Sequence, residues 1–194
     1  MFISDIRRAL RRFRKSEHGT ATMETVIMLP FLFTGLVMMY DFFDIFQFKN
    51  TREKATYTIA DMLSRETAVV TDTYIDNTKV LYDTLTGNRG INQIRTSVVR
   101  YHNDPDQNID EFDLRWSEVR GTGDLTELTD TDVKNAHAAF PNMVDGQDLI
   151  VVETQSTYDP GITLGFFAGT PVTTSMFMNL RFAPQLCYTG VCTP

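Results

Sequence analysis

Cysteine and histidine are scarce in this chain: its 194 residues hold two of the first and three of the second. Structural zinc takes four such ligands, usually as two spaced pairs, and Cys187 and Cys192 have no second pair beside them. The histidines, His18, His102 and His137, stand apart from any Ser, Cys or acid pairing pattern. No nucleophile elbow, P-loop or zinc signature occurs. Gly121-Thr122-Gly123-Asp124 reads as a turn, with no phosphate-binding helix behind it. These absences remove the usual grounds for an enzyme, a cofactor or a small-molecule substrate, so the expectation is a non-enzyme with no catalytic residue and no cofactor. Internal repeats and low-complexity linkers are lacking too, and the length suits one domain plus an anchor.

Positive charge is the next shortage, and it is a local one. Residues 1–19 hold six of the 18 basic residues (Arg7, Arg8, Arg11, Arg12, Arg14, Lys15) and only two acids, Asp5 and Glu17. The remaining 12 basic and 23 acidic residues give the body a formal charge of −11. An acidic body argues against nucleic acid as its partner. Charge then almost vanishes. Thr20 to Tyr40 reads TATMETVIMLPFLFTGLVMMY, 21 residues with one charge, Glu24. At about 1.5 Å per helical residue this run nearly matches a hydrocarbon core of roughly 30 Å. It exceeds the apolar region of a signal peptide, and no small-x-small cleavage site follows, because the chain continues into Asp41-Phe42-Phe43-Asp44. The expectation is a single-pass segment in the lipid bilayer. The basic residues before it and the acids after it place the N-terminus in the cytoplasm and the body outside.

Glu24 stands where a carboxylate costs on the order of a few kcal/mol. Either it snorkels to the headgroup layer from its place near the cytoplasmic end, or it has a partner. Its surroundings bear on the choice: an Arg-rich stretch, then Ser16-Glu17-His18-Gly19-Thr20-Ala21-Thr22-Met23-Glu24. A Gly followed five residues later by Glu, where a basic leader meets an apolar helix, resembles the recognition pattern of prepilin peptidases. Cleavage after Gly19 would leave Thr20 as a new N-terminus. Its ammonium and the Glu24 carboxylate would lie about one helical turn apart, able to neutralise each other or a neighbour's group. Pro30 removes one helix hydrogen bond and is expected to kink the anchor.

Leader and anchor together, RRFRKSEHGTATMETVIMLPFLF, resemble those of the TadE-like pseudopilins of the tight-adherence (Tad) pilus system. Those proteins carry a basic leader, Gly-x4-Glu, and often Leu-Pro or Val-Pro six residues after the Glu, where Pro30 stands here. Thr25 departs from the aromatic residue that major pilins of such systems place after the Glu. That departure, and the 175 residues left once 19 are removed, imply a minor subunit. The tail adds to the likeness: Glu153-x4-Tyr158-x-Pro160, an apolar connection, a final strand and Arg181-x2-Ala/Pro. The match is strongest over residues 7–40, weaker over 148–184 and thin between. It leaves TadE-like and TadF-like undivided, while length excludes the larger relative with an adhesion-type insert.

Beyond the anchor the helical pattern persists. Ile45, Phe48, Arg52, Ala55, Ile59 and Met62 fall on an i, i+3/i+4 stripe, so a helix from about Thr20 to Glu66 would run about 70 Å. The aromatic group Phe42, Phe43, Phe46 and Phe48 reads as interfacial belt plus core packing. Asp72-Thr73 offers an N-cap for a second helix through Leu85, with Tyr74, Thr78, Leu81, Tyr82 and Leu85 on one face, ended by Gly87-Asn88-Arg89-Gly90. Strands are expected over Ile91–Tyr101 and Phe112–Arg120, the second alternating Phe112, Leu114 and Trp116 on one face, with a loop over His102–Glu111 between them. A third helix is expected over Asp130–Phe140, closed by Pro141. Asp148–Tyr158 and Val172–Phe182 read as strands joined by Asp159-Pro160-Gly161 and the apolar stretch Ile162–Ala168. The expected fold is α+β, with a pilin-like long N-terminal helix and a small antiparallel-sheet periplasmic domain. The divisions are a leader over 1–19, a transmembrane helix over 20–40, its extramembrane continuation over 41–70 and the domain over 71–194.

Two further groups are candidates. Cys187 and Cys192, outside the membrane by this topology, form a candidate disulfide that would close a small loop. Asp104, Asp106, Asn108 and Asp110 have the alternating oxygens of a calcium loop's start, yet Ile109 replaces the Gly at the sixth position and Arg115 the Glu at the twelfth. The plain alternative is an acidic hairpin turn.

The resemblance implies a minor pseudopilin of a Tad-type pilus in a bacterial inner membrane. Its partners would be the prepilin peptidase, other pilins and pseudopilins, and the inner-membrane assembly platform. Two other readings stay open: an uncleaved single-pass periplasmic scaffold or sensor, and a pseudopilin of a type II secretion machine. The second would suit a leader ending in Gly-Phe-Thr-Leu-Ile-Glu, which this chain lacks.

Overall fold

The computed structural model describes residues 18–161 and 167–191, which fall into two compact units divided between Phe43 and Asp44. Helix α1, His18–Ser64, contributes residues to both. In the first unit it is an isolated helix. Met23, Ile27, Phe31, Phe33, Leu36 and Phe43 are all more than half exposed, an apolar surface of the kind that marks a protein or membrane contact.

In the second unit α1 is one wall of a core. Its buried face is Phe48, Arg52, Ala55, Thr56, Ile59, Ala60, Leu63 and Ser64, spaced three and four apart as a helix packed on one side requires. The expected stripe is displaced slightly: Ile45 and Met62 are only half-buried, and Ala60 and Leu63 take the inner positions. Lys49 and Glu53, 3.9 Å apart, and Arg65 and Asp61, 3.0 Å apart, lie off that face. The helix stops at Ser64, two residues before the expected Glu66. There the backbone tightens to i→i+3 bonds, Arg65 to Met62 and Glu66 to Leu63, and the Glu66 carboxylate accepts from the Thr67 and Ala68 amides.

Helix α2 spans Asp72–Leu85. Its N-cap is Thr71, not Asp72: the Thr71 hydroxyl accepts from the Tyr74 amide at 3.3 Å, leaving Asp72 in the first turn where the helix dipole favours a carboxylate. The inward face is Ile75, Thr78 and Tyr82, while Leu85 is exposed, because the helix is rotated from the expected face. Gly87 and Asn88, with φ of 68° and 54°, reverse the chain after it.

Strands β1 (Asn92–Asp104), β2 (Ile109–Gly121), β3 (Asp148–Thr157) and β4 (Pro171–Asn179) form one antiparallel sheet in the order β2-β1-β3-β4. The β1–β2 hairpin continues three residues further than expected on each strand, to Asp104 and from Ile109, into the segment read as a loop. Only 105–108 turn, with Asn108 at a φ of 54°. β4 stops at Asn179, short of Phe182, because the Arg181 amide leaves the sheet for the Ser64 carbonyl.

The main departure from expectation is a β-bulge. Val98 pairs with Trp116 and Val99 with Leu114, so Arg115 is the extra residue of the bulge and the alternation of β2 inverts there. Phe112 and Leu114 therefore face one side of the sheet and Trp116 the other. On the Trp116 side, Ile94, Val98, Ile150, Val152 and Met176 pack against α1, α2 and the C-terminal Leu186 and Tyr188. On the opposite side, Val99, Tyr101, Phe112, Leu149 and Val151 are covered by the crossing from β2 to β3. That crossing holds helix α3 (Asp130–Asn135) and a 3-10 turn (His137–Ala139), not one helix to Phe140. The Thr129–Asp132 capping box starts it, and the α-turn tightens at Ala136, whose amide lies near the Asp132 and Val133 carbonyls. The central strands β1 and β3 are thus buried on both faces, whereas Thr173, Ser175, Phe177 and Asn179 of β4 are exposed.

Candidate functional site

The site the sequence points to lies on the first unit's helix. Gly19 and Thr20 are helical, in the opening turn of α1. One turn on, Glu24 is exposed, and from Thr22 to Tyr40 it is the sole ionisable side chain apart from the Tyr40 phenol. Pro30 lies inside the helix without interrupting it. The proline has no N–H to give the Val26 carbonyl. Its own carbonyl gains an additional donor, since the Thr34 hydroxyl bonds it at 2.8 Å. This helix is long and apolar enough to cross a membrane. In hydrocarbon a helix satisfies its own backbone, as a spanning segment must, apart here from the bond that Pro30 cannot donate. Chemically the surface is apolar, with one carboxylate available to a cation.

A second polar centre lies at the start of the second unit, and sequence reasoning missed it. Asp44, the first residue of that unit, receives both Nη atoms of Arg89, one at 2.9 Å and the other closer. The Tyr158 hydroxyl donates to the same carboxylate at 2.5 Å. Arg89 is anchored again by Nε and Nη2 donating to the Asp159 carbonyl at 2.9 and 2.7 Å. Arg89 and Tyr158 together hold the Asp44 carboxyl below the usual carboxylate range, Arg89 first, and Asp44 raises the Arg89 guanidinium in return. Next to it Arg52 is buried, its guanidinium 3.1 Å from the centre of the Phe48 ring. It donates to the Phe48 carbonyl at 3.2 Å, to Asn92 Oδ1 at 3.4 Å and, more closely, to the Arg89 carbonyl. Burial pushes it down to about 10, so it stays charged at neutral pH. Residues 44–52 of α1 are thereby tied to the turn after α2 and to the end of β3. The available signal was Tyr158, in a motif noted for its resemblance, together with an acid at 44 beyond the apolar run.

The other candidates are placed as follows. Asp104 Oδ1 accepts from the Asp106 and Gln107 amides at 3.0 and 3.3 Å, which shapes the hairpin turn. Asp106 and Asn108 are exposed. Asp110 Oδ1 accepts from the Tyr101 hydroxyl at 2.8 Å and lies 2.9 Å from His137 Nε2. Among the described residues no three His, Cys, Asp or Glu side chains are grouped so as to hold a metal ion. Cys187 is half-buried, and its carbonyl accepts from the Val70 amide at 2.8 Å. Cys192 lies outside the described residues, and with it the candidate bridge, as do the leader up to residue 17 and 162–166 of the apolar connection.

Comparisons with protein-family models, with curated proteins and with solved structures returned no match.

Proposed function

We propose that this chain is a minor pseudopilin, TadE-like or TadF-like, of a Tad-type pilus, working in pilus biogenesis and surface adhesion through protein contacts. One observation carries the reading: a single carboxylate, Glu24, on an exposed apolar helix, five residues after Gly19. An isolated carboxylate in hydrocarbon is costly, and an ammonium presented at the same depth removes that cost. Cleavage after Gly19 by a prepilin peptidase generates such an ammonium on Thr20 of every processed subunit. The helix from Thr20 then packs against those of other pilins and pseudopilins at the inner-membrane assembly platform, Glu24 meeting a neighbour's N-terminus. The antiparallel-sheet unit, with no grouped ligands for a metal among the described residues, presents its acidic surface to other assembly proteins in the periplasm.

The test is the N-terminus of the protein extracted from native membranes. Mass spectrometry should find Thr20 first, and Gly19→Leu should leave the leader attached. Glu24→Ala should insert normally and lose piliation and adhesion. An intact Met1 in the membrane pool refutes processing and favours an uncleaved scaffold or sensor, while full piliation by Glu24→Ala removes the role given to that carboxylate.

A further inference from the structure

The crossing from β2 to β3 begins with a segment held to the sheet by side chains alone. From Thr122 to Leu128, no main-chain group bonds another main-chain group among the described residues. Two glutamines hold it instead, partners across the β1–β3 ladder. Gln93 grips Leu125 with both ends of its amide, Nε2 donating to the Leu125 carbonyl at 2.7 Å and Oε1 accepting from the Leu125 amide at 2.8 Å. Gln155 holds Asp124 in the same way, Oε1 accepting from its amide at 2.8 Å and Nε2 donating to its carboxylate at 3.2 Å. Further along, Arg95 Nη1 donates to the Thr126 carbonyl at 2.7 Å, and Ser117 Oγ accepts from the Leu128 amide at 3.0 Å.

Little apolar burial secures the segment. Five of its seven residues are exposed, and Leu125 and Leu128 are half-buried. Much of what it covers is a polar row, in which Arg95 Nε donates to Glu153 at 2.7 Å and Ser97 Oγ lies 2.8 Å from Ser117 Oγ. Segments with few buried apolar contacts are those that open locally. The fit on the two glutamines is close, since a Cβ on Gly123 would come within 2.4 Å of Gln93 Oε1 and 2.9 Å of Gln155 Oε1. The sheet itself has no need of the segment. β2 and β3 are not neighbours, and each pairs with β1 along its own ladder.

We propose that residues 122–128 are a strap that opens and recloses over an intact sheet, with Gln93 and Gln155 as its catches. Closed, the strap covers the Arg95–Glu153 pair and the two amides. Open, it presents that polar row to solvent and frees seven residues of extended chain. Opening leaves no buried charge alone, because Arg95 keeps Glu153 in both states. It also returns rotamer freedom to both glutamines, which a main-chain ladder could not do. The link between β2 and β3 is thus the place where this unit can be opened, or cut, without losing its sheet.

The test is hydrogen exchange of the full chain in lipid nanodiscs, resolved to single amides by fragmentation mass spectrometry. The Leu125 amide should exchange through an opening that low urea leaves unchanged, because a local opening exposes little surface. Val152 of β3 should exchange through one that urea promotes. Gln93→Ala should speed Leu125 by about 10- to 30-fold more than it speeds Val152, the worth of two ordinary hydrogen bonds. Gly123→Ala, which presses on the two glutamines, should speed Leu125 several-fold and leave Val152 unchanged. A glutamate-specific protease should cut at Glu127, faster in Gly123→Ala, and the nicked chain should keep the Trp116 fluorescence of the folded one. Equal urea dependence at Leu125 and Val152, or equal acceleration of both by Gly123→Ala, overturns the strap. Loss of the folded fluorescence on nicking overturns its independence from the sheet.

Discussion

Replacing Asp44 by Ala should unfold the second unit more easily by an amount the geometry fixes within limits. Its carboxylate is 14% exposed and the Arg89 side chain 33%. Removing one partner of a fully buried pair costs about 3–5 kcal/mol. Arg89 is a third exposed and keeps the Asp159 carbonyl, so about 2–3 kcal/mol is expected here once solvent screening is allowed for. Tyr158 is buried, and its hydroxyl bonds the same carboxylate. Tyr158→Phe should cost about 1.5–3 kcal/mol, the range for a hydrogen bond to a charged group. The double variant should cost less than the sum, because each change removes the other's partner. The single tryptophan, Trp116, stacked on Tyr188 at 5.4 Å, reports unfolding by fluorescence during urea titration in detergent. Single costs below about 0.5 kcal/mol, the level of an ordinary surface change, or strict additivity in the double, would refute the coupled centre. The pH dependence has a definite sign. Asp44 has a lowered folded value, so the unfolded chain binds the proton first on acidification. The contribution is complete above the unfolded carboxylate value of about 3.9 and is lost as pH falls from there through the folded value. Asp44→Asn should lack that part of the acid slope.

Deleting Arg115 removes the bulge and leaves a regular ladder in which Val98 still opposes Trp116 and Val99 still opposes Leu114. Trp116 and the Phe112–Leu114 pair keep their opposite faces, so cooperative unfolding in the near-UV circular dichroism should persist, and its disappearance would refute the bulge. Thr71→Ala should cost about 1 kcal/mol in the same urea titration, as loss of an N-cap does, and Thr71→Ser nearly nothing. Calcium should leave the unfolding midpoint unmoved, because Asp104 and Asp110 already serve the turn, Tyr101 and His137. A site filled at 100 times its dissociation constant would add about 2.7 kcal/mol and would be seen at once.

What was legible in the chain followed periodicity. The apolar run from Thr20, the stripe through Phe48, Ala55 and Ile59 and the β-rich segments each declare one buried side, because burial repeats at the period of the element. The α+β class and all four strands followed from that. What was not legible depends on partners distant in sequence. Nothing around Arg115 marks a bulge, since the inversion is defined only by Val98 and Val99 across the ladder. Asp44, Arg89 and Tyr158 lie in three separate segments, and no local pattern joins them. The hairpin looked like a loop because its acids suggested solvent, whereas Asp110 stands beside Tyr101 and His137 in the ladder. In the apolar half of α1 the pattern is local instead: Gly19, Glu24 and Pro30 are singled out by their neighbours in sequence, and all three lie within the one helix.

The stitching of the C-terminal segment into the core sets an order in time. Leu186 and Tyr188 complete the cluster begun by Ala55, Ile59 and Val70, and Trp116 Nε1 donates to the Leu186 carbonyl at 2.8 Å. The Val70 amide and carbonyl are taken by Cys187 and Thr189. Synthesis therefore makes the inner face of α1 more than a hundred residues before the segment that closes over it. Through that interval the cluster lacks Leu186 and Tyr188, and the Val70 backbone lacks its partners. Closing so long a loop is slow, so newly made chains are at their stickiest before residue 186 is released. A factor that holds the chain would matter most in that window.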